Sequence, residues 1–400
     1  MKKIIIITIA VIIMALGTYI WAEGEDTQKE PDRETQIKNF IQKLKEGGWN
    51  EREGASNQLI RMGATEAIPE LIELLQHKEK DVRELSANTL GGLGAKDAIP
   101  ELKKLLKDKE SAVRGAATVA LGFLGAKEMN PDLKKMLKET DPKMRASAAQ
   151  ALGKLGAKDT VPDIKKLLKD VDALVRLRAA EALGLLGAKD AISDIMKLLK
   201  EKDVPGLPVR QFAAIALGKL GAKDAVADIK KLLTDENPDM RGAAAESLGR
   251  IGAKAAIPDL IKLLEDDKKA VRGRAAIALS RFGAKDAKDA ISTLTDLLKD
   301  DDQTARWSAA AALGKLGAKD AIPDLINLVK TDKYWDVRVM GAISLVELGE
   351  KDKVDAQTIA NLKYFLKLER IEWPDEDFGA RARNALKELG EEEQPPDENK

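Results

Sequence analysis

The sequence predicts an all-α protein in which about eleven pairs of short helices stack into a superhelix, an α-solenoid. Three observations predict this fold: a glycine that recurs mostly every 31 residues, an arginine eleven residues before each glycine, and two amphipathic helical patterns in each interval. The glycines are Gly63, Gly94, Gly125, Gly156, Gly187, Gly221, Gly252, Gly283, Gly317 and Gly349, and the arginines are Arg52, Arg83, Arg114, Arg145, Arg176, Arg210, Arg241, Arg272, Arg306 and Arg338. Paired helices of about 11–14 residues cannot bury their apolar stripes alone, whereas stacked pairs share a continuous core.

The N-terminal segment differs from the repeats and predicts an export signal. Lys2 and Lys3 precede an apolar run over residues 4–22, and acidic residues follow at once. This order of charges directs the rest of the chain away from the cytoplasm. We expect residues 1–22 to be a signal peptide, or an N-terminal membrane anchor if they are not cleaved. The protein would then be exported to a periplasmic or other extracytoplasmic space, with residues 23–33 as a polar linker.

Residues 34–390 are predicted to form the repeats. In one repeat, Asp97 is expected to cap a first helix whose first turn contains Pro100. Apolar residues such as Leu102 share one face of that helix and lysines share the other. The second helix carries an apolar stripe that includes Leu121, and Gly125 is expected to end it in a left-handed turn.

Departures from the 31-residue step predict loops. Longer steps place extra residues at 204–208 and at 284–289, and a 32-residue step places Tyr334 and Trp335 in a loop. The final unit carries about ten additional residues around positions 372–375. Residues 391–400 are acidic and contain proline, which predicts a disordered tail.

The repeated motif Leu-Gly-x-Leu-Gly-Ala-Lys-Asp-Ala-Ile-Pro-Asp/Glu-Leu resembles the HEAT-like repeats of the phycobilin-lyase (PBS lyase) type over residues 34–350, and less closely to 390. An acidic residue six positions before the arginine accompanies it, at Asp108, Glu139, Asp170, Asp235, Asp266, Asp300 and Asp332, whereas His77 and Val204 break the pattern. The resemblance implies that arginines and acids form a structural ladder between repeats, made by Arg83, Arg114, Arg145, Arg176, Arg210, Arg241, Arg272, Arg306 and Arg338. A track for a polyanion is the rival interpretation of these arginines.

Composition argues against enzymatic chemistry. The chain has no cysteine and one histidine, which excludes thiol nucleophiles and leaves histidine-based sites almost no ligands. Deoxyhypusine hydroxylase resembles this architecture but binds two irons through several His-Glu pairs, whereas His77 is followed by Lys78 here.

Lys plus Arg and Asp plus Glu both number 67, so no net charge favours nucleic acid. We expect no catalytic residue, metal or cofactor, and no nucleic-acid partner.

One stripe of the second helices is predicted to line the concave side of the superhelix. It comprises positions −13, −10, −6 and −2 relative to each repeated glycine, and it varies between repeats where the core positions do not. The candidate partner-binding residues on it are Phe123, Leu174, Leu177, Leu185, Ile215, Ile277, Trp307, Val339 and Ile343. If exposed, they form an apolar groove for a partner helix or extended peptide. The alternative is that they pack against neighbouring helices, with the C-terminal aromatic residues acting as a cap.

These observations together predict an exported, non-enzymatic scaffold that binds a protein or peptide along its concave face. Trp307 is the expected anchor, because a large aromatic residue replaces smaller or polar ones at its position. An auxiliary role in cofactor attachment or enzyme maturation, similar to that of the lyase-type relatives, is the second possibility. Membrane contact would involve residues 4–22 alone, and only if they remain uncleaved.

Overall fold

The computed structural model describes residues 32–202, 204–283, 285–367 and 378–391. These residues form 22 α-helices and no β-strand, in eleven consecutive pairs, which confirms the all-α solenoid. The first helices of the pairs are α1 (Arg33–Glu46), α3 (Ile68–Leu74), α5 (Ile99–Leu105), α7 (Asn130–Met136), α9 (Val161–Lys166), α11 (Ile192–Leu198), α13 (Val226–Lys231), α15 (Ile257–Lys262), α17 (Ile291–Leu297), α19 (Ile322–Thr331) and α21 (Ala356–Lys367). The second helices are α2 (Trp49–Arg61), α4 (Lys80–Gly92), α6 (Ser111–Phe123), α8 (Pro142–Leu155), α10 (Ala173–Leu186), α12 (Val209–Lys219), α14 (Pro238–Ile251), α16 (Lys269–Ser280), α18 (Gln303–Lys315), α20 (Trp335–Glu347) and α22 (Phe378–Glu388).

The two helices of a pair lie on different sides of the stack. From α4 to α20, each even-numbered helix packs extensively on the next even-numbered helix, whereas each odd-numbered helix packs mainly on its own partner. A row of closely spaced helices beside a row of widely spaced ones curves the stack towards the closer row. The even-numbered helices are therefore the inner helices and line the concave side.

The outer helices begin differently from the sequence prediction. Lys96–Ala98 forms a single 3-10 turn before α5, and the exposed Asp97 side chain makes no capping hydrogen bond to that helix. Pro100 does stand in the first turn of α5, as predicted. The predicted cap was therefore wrong, because the 3-10 turn already supplies the first backbone hydrogen bonds. Outer helices α3 to α19 are also shorter than expected, and they range from six residues, as in α9, to ten in α19.

The repeated glycines end the inner helices in the predicted way. Nine of the ten adopt the left-handed conformation, with φ between 57° and 91°, as at Gly156, which directly follows α8. Gly283 is the exception, and its carbonyl instead accepts hydrogen bonds from the N–H groups of Asp286 and Ala287. The doubled Ala-Lys-Asp sequence makes this connection longer than in the other repeats.

Inner helices approach each other closely because small residues meet at their crossings. A Cβ atom added to Gly153 of α8 would lie 2.7 Å from the Cα atom of Ala182 in α10, and one added to Gly122 of α6 would lie 2.6 Å from that of Ala151 in α8. Comparable contacts recur along the row at Gly91, Gly184, Gly218 and Gly249. The buried apolar residues form one continuous core from Ile37 to Leu386.

A ladder of ion pairs joins neighbouring repeats beside this core. Arg145 Nε and Nη2 each donate to Asp170 of the next repeat at 2.8 Å, while Nη1 donates to the carbonyls of Glu139 and Thr140 in its own repeat. One guanidinium thus connects two successive interhelical loops. The ladder pairs are Arg52–Glu79, Arg83–Asp108, Arg145–Asp170, Arg176–Glu201, Arg210–Asp235, Arg241–Asp266, Arg272–Asp300 and Arg306–Asp332.

The ladder departs from the sequence pattern in two ways. Glu79 and Glu201 replace the acids that are missing at His77 and Val204. Arg52 and Arg176 therefore still form ion pairs with the next repeat. Arg114 and Arg338, in contrast, form no salt bridge among the described residues and bond to carbonyls of the loop before their own helix. The acid expected to pair with Arg114, Glu139, is exposed on the surface.

The predicted irregular segments have different outcomes. Residues 204–208 form a turn in which Val204 bridges Leu207, as expected for an insertion. Tyr334 does precede a helix, but Trp335 is the first residue of α20 rather than part of a loop. The predicted signal peptide or anchor at 1–22, the linker at 23–31, the extra residues around 372–375 and the tail at 392–400 lie outside the described residues. No helix within the described ranges is long and apolar enough to cross a membrane.

Replacing Gly153 by Ala should destabilise the solenoid by about 1–3 kcal/mol, because the added methyl group overlaps the backbone of α10. Gly54→Ala is the matched control, since a Cβ atom on Gly54 meets nothing within 4 Å. That control should be neutral or stabilising by up to about 1 kcal/mol. Urea unfolding followed by circular dichroism measures both, and equal effects of the two changes would contradict the close-packing role.

Replacing Arg145 by Ala should lower the free energy of unfolding by about 1–3 kcal/mol, because it leaves Asp170 without its guanidinium partner. Arg114→Ala removes the same loop bonds but no ion pair and should cost less. Equal losses for both variants in urea unfolding would remove the ladder role.

Acid should narrow the difference in unfolding free energy between Arg145→Ala and the unchanged protein. Protonation of Asp170 removes the ion pair but leaves the bonds from Arg145 to the Glu139 and Thr140 carbonyls. Burial by itself raises the pKa of Asp170, but hydrogen bonds from Arg145 and from the Asp172 N–H outweigh it and lower that pKa below the ordinary 3.8. A lowered folded-state pKa contributes stability above the unfolded-state pKa, and this contribution is lost as pH falls through the folded-state value. Unfolding of both proteins, followed from neutral pH to well below the ordinary pKa of 3.8, therefore serves as a control for the ladder experiment.

Candidate partner-binding surface

The structure brings together the predicted stripe of four consecutive inner helices, α4, α6, α8 and α10. Positions −13, −10 and −6 relative to the repeated glycines line a shared depression of about 360 Å³. Gly115 and Ala146 are buried at its floor, and the missing or small side chain at these positions keeps the surface low between larger neighbours. Val119 and Leu174 contribute half-buried apolar side chains. The depression lies on the stripe that the sequence predicts for the concave side.

Polar and charged groups surround the depression without favouring one sign. Glu84 and Asn88 contribute from α4, and Lys143 and Gln150 from α8. Burial and the nearby carboxylate of Asp81 raise the pKa of Glu84, although Lys143 and Lys80 favour its ionised form. The small apolar floor can contact apolar side chains of a peptide. The mixed polar edge can pair with polar and charged side chains of the same peptide.

The nine apolar residues proposed for this surface are not equally accessible. Phe123 is 47% exposed, and the ammonium group of Lys154 lies 4.6 Å from the centroid of its ring. Leu174, Leu185 and Ile215 are half-buried, whereas Leu177 and Ile277 are buried between helices. The accessible part of the predicted groove therefore lies between α6 and α12.

The C-terminal helix covers the inner surface further along the chain. The Phe378 ring of α22 packs on Trp307 of α18, with ring centroids 5.4 Å apart. One turn later, Arg381 donates to both carboxylate oxygens of Glu347 in α20 at 2.6 Å and to the carbonyl oxygen of Ala311 in α18 at 3.2 Å. Helix α22 thus lies across α18 and α20 instead of extending the row of inner helices.

This placement corrects the expectation for the C-terminal candidates. Trp307 is 2% exposed beneath Phe378, and Val339 and Ile343 of α20 are fully buried. The three residues do not line an open groove, because a helix of the same chain occupies that part of the concave side. The cap interpretation of the C-terminal aromatic residues holds for Phe378 and Trp307.

Basic residues stand two positions before several of the repeated glycines, and two of them contact neighbouring side chains. Lys154 lies over the Phe123 ring, and Arg250 donates to Glu246 at 2.9 Å. In α20 the same position holds an acid, Glu347.

Within the described residues no group of acidic or histidine side chains is arranged to hold a metal ion, and His77 accepts a hydrogen bond from the Glu79 N–H in its loop.

Sequence reasoning missed a second set of ion pairs on the outer helices. Lys103, for example, pairs with Glu128 at 2.8 Å, and further pairs of this kind are Lys134–Asp159, Lys165–Asp190, Lys230–Asp259 and Lys299–Asp324. The regular 25-residue separation of several pairs is the signal that could have revealed them. Because the pairs are largely exposed, each contributes little to stability.

Comparison with known proteins agrees with the repeat architecture. The HEAT-repeats family profile matches residues 37–122, 68–151, 130–207, 205–280 and 257–346, and the chain belongs to this family of repeat proteins. The finer resemblance to phycobilin-lyase-type repeats stays a prediction. No curated protein matches the chain.

Several solved structures are similar to this solenoid. An engineered protein is 21% identical with a TM-score of 0.38, over 89% of this chain and 99% of that one. YibA of Escherichia coli is 20% identical with a TM-score of 0.42, over 66% and 96% of the two chains. Kap121p bound to Nup53p is 15% identical with a TM-score of 0.41, over 90% of this chain and 46% of that one. The chain thus spans about half the length of Kap121p, and none of these similarities bears on its partner.

Replacing Trp307 by Asp should destabilise the C-terminal repeats by about 3–5 kcal/mol, because it removes a buried ring and inserts a charge beneath Phe378. Phe123→Asp, on the same stripe but 47% exposed, should leave the melting temperature nearly unchanged. Thermal unfolding and hydrogen exchange in α18 and α22 measure the difference. Full protection of both helices in Trp307→Asp would show that the residue is not part of the core.

Proposed function

We propose that this protein is an exported, non-enzymatic scaffold that binds a protein or peptide along its inner surface. The depression bordered by α4, α6, α8 and α10 carries the proposal, because it is concave, has an apolar floor and is edged by groups of both signs. A volume of about 360 Å³ accommodates a few side chains of a partner. Export is supported by the charged and apolar pattern of residues 2–22.

The chemistry of the surface favours a polypeptide over a polyanion. Lys143 acts on Glu84 on one side of the depression, and Arg178 on α10 donates to Glu181 at 2.8 Å. A phosphate backbone would meet these acids as well as the bases, and the chain has no net charge to attract it. A peptide presents apolar and polar side chains in alternation, which matches the floor and the edge of the depression.

Replacing Leu174 by Asp should reduce partner capture at least about tenfold, because it places a carboxylate at the apolar part of the depression. The full chain serves as bait in an envelope extract of its native organism, and bound proteins are quantified by mass spectrometry. Val171→Asp is the matched control, since Val171 is 95% exposed in the loop before α10 and does not line the depression.

Loss of one specific protein with Leu174→Asp, and its retention with Val171→Asp, is the expected result. The melting temperature of both variants must stay near that of the unchanged chain for the comparison to count. Equal capture by all three baits would contradict binding at this depression. Capture that disappears on nuclease treatment would replace a protein partner by nucleic acid.

A further inference from the structure

Three departures from the repeat pattern converge where α22 meets the inner surface. Trp307 stands at a position that holds glycine in the two preceding repeats, at Gly242 and Gly273. Ala311 takes a position that is isoleucine in the repeats on either side, at Ile277 and Ile343. The third departure is a reversal of charge, because α20 carries an acid two residues before its glycine where α18 carries a lysine.

Each departure matches a feature of α22. The indole of Trp307 gives Phe378 a flat aromatic surface, and the two rings meet at 5.4 Å with an interplanar angle of 48°. The small side chain of Ala311 leaves room for the Arg381 guanidinium to reach a helix carbonyl at 3.2 Å. Glu347 then neutralises that guanidinium, which is almost completely buried. The three positions form a receptor for an aromatic residue followed three positions later by an arginine.

Helix α22 has the composition of a bound amphipathic helix. Its buried residues, Phe378, Arg381, Ala382, Ala385 and Leu386, follow the spacing of one helix face, while most residues between them are exposed. At its C-terminal end, ion pairs join Glu388 with Lys351 and Glu391 with Lys363, and all four side chains are at least 38% exposed. Such exposed pairs stabilise little, so Phe378 and Arg381 are the principal anchors.

We propose that α22 is an intramolecular ligand, and that the Trp307–Ala311–Glu347 site is a docking site for a helix presenting an aromatic residue and an arginine one turn apart. In the free protein α22 occupies this site and closes the C-terminal part of the concave side. A partner protein that carries a helix of the same chemistry replaces it. This extends the proposed function, and it rests on that function only for the existence of the partner.

Linkage to the same chain gives α22 an advantage over any separate helix. A tethered ligand acts at an effective concentration of the order of millimolar, so a free peptide competes poorly with it. Weakening the anchors of α22 removes this advantage and leaves the site itself unchanged. An opened chain, carrying Phe378→Ala and Arg381→Ala in the full-length protein, should therefore accept a helix added from outside.

The probe is a fluorescent synthetic peptide of residues 378–391, and its binding is measured by fluorescence anisotropy. The opened chain should bind it with 1:1 stoichiometry, and the unchanged chain should bind it at least about 30-fold more weakly. Adding Glu347→Arg to the opened chain should weaken binding roughly 30-fold or more, because it places two cations together in a buried site. The same chain should instead bind a peptide that carries Arg381→Glu, restoring the ion pair with reversed charges.

Two results would overturn the proposal. If the opened chain keeps its helicity but binds no peptide, or if Glu347→Arg leaves binding unchanged, then the site does not recognise this helix. If the opened chain instead loses hydrogen-exchange protection in α18 and α20, then α22 is an integral part of the core. Neither result affects the depression between α4 and α10, whose role is tested separately by Leu174→Asp.

Discussion

The close approach of the inner helices is the constraint on which the rest of this structure depends. Gly122, Gly153 and their counterparts let each inner helix lie against the backbone of the next, where a single methyl group would not fit. The outer helices contact their own partners far more than each other, so the close spacing on one side curves the whole stack. That curvature produces the concave surface. A scaffold built this way places one stripe of side chains from every repeat on the same side, where a long partner can contact them in register.

The ion-pair ladder complements this packing by fixing the loops rather than the helix crossings. In five rungs a single guanidinium satisfies two loop carbonyls and one carboxylate, as at Arg83, Arg145, Arg176, Arg241 and Arg306. Carboxylates at shifted positions, Glu79 and Glu201, preserve rungs where the expected acid is missing. The position of the acid can therefore vary by a few residues as long as the loop brings a carboxylate within reach. The expected position alone does not guarantee a rung, since Glu139 stands at that position for Arg114 but is exposed to solvent.

The concave side has two distinct regions, and they suggest two modes of recognition. Between α4 and α10 small residues leave an open depression with edge groups of both signs. Towards the C-terminus, a tryptophan, a small alanine and one reversed charge form a site already filled by α22. The first region suits adaptable contacts with a peptide. The second suits a helix with defined anchors, and its occupation within the same chain would make binding there dependent on release of α22.

The sequence by itself determined the repeat, the number of helix pairs, the left-handed glycine ends and most arginine–acid pairs, because each depends on contacts within one repeat or between adjacent repeats at a constant spacing. Only the tertiary structure decided which stripe residues are accessible. Leu174 and Trp307 belong to the same pattern, yet one borders a depression and the other lies under Phe378. Arg381 and Ala311 are 70 positions apart, and no periodicity links them. The path of α22 across two inner helices follows from how their surfaces fit, which a repeat pattern does not encode.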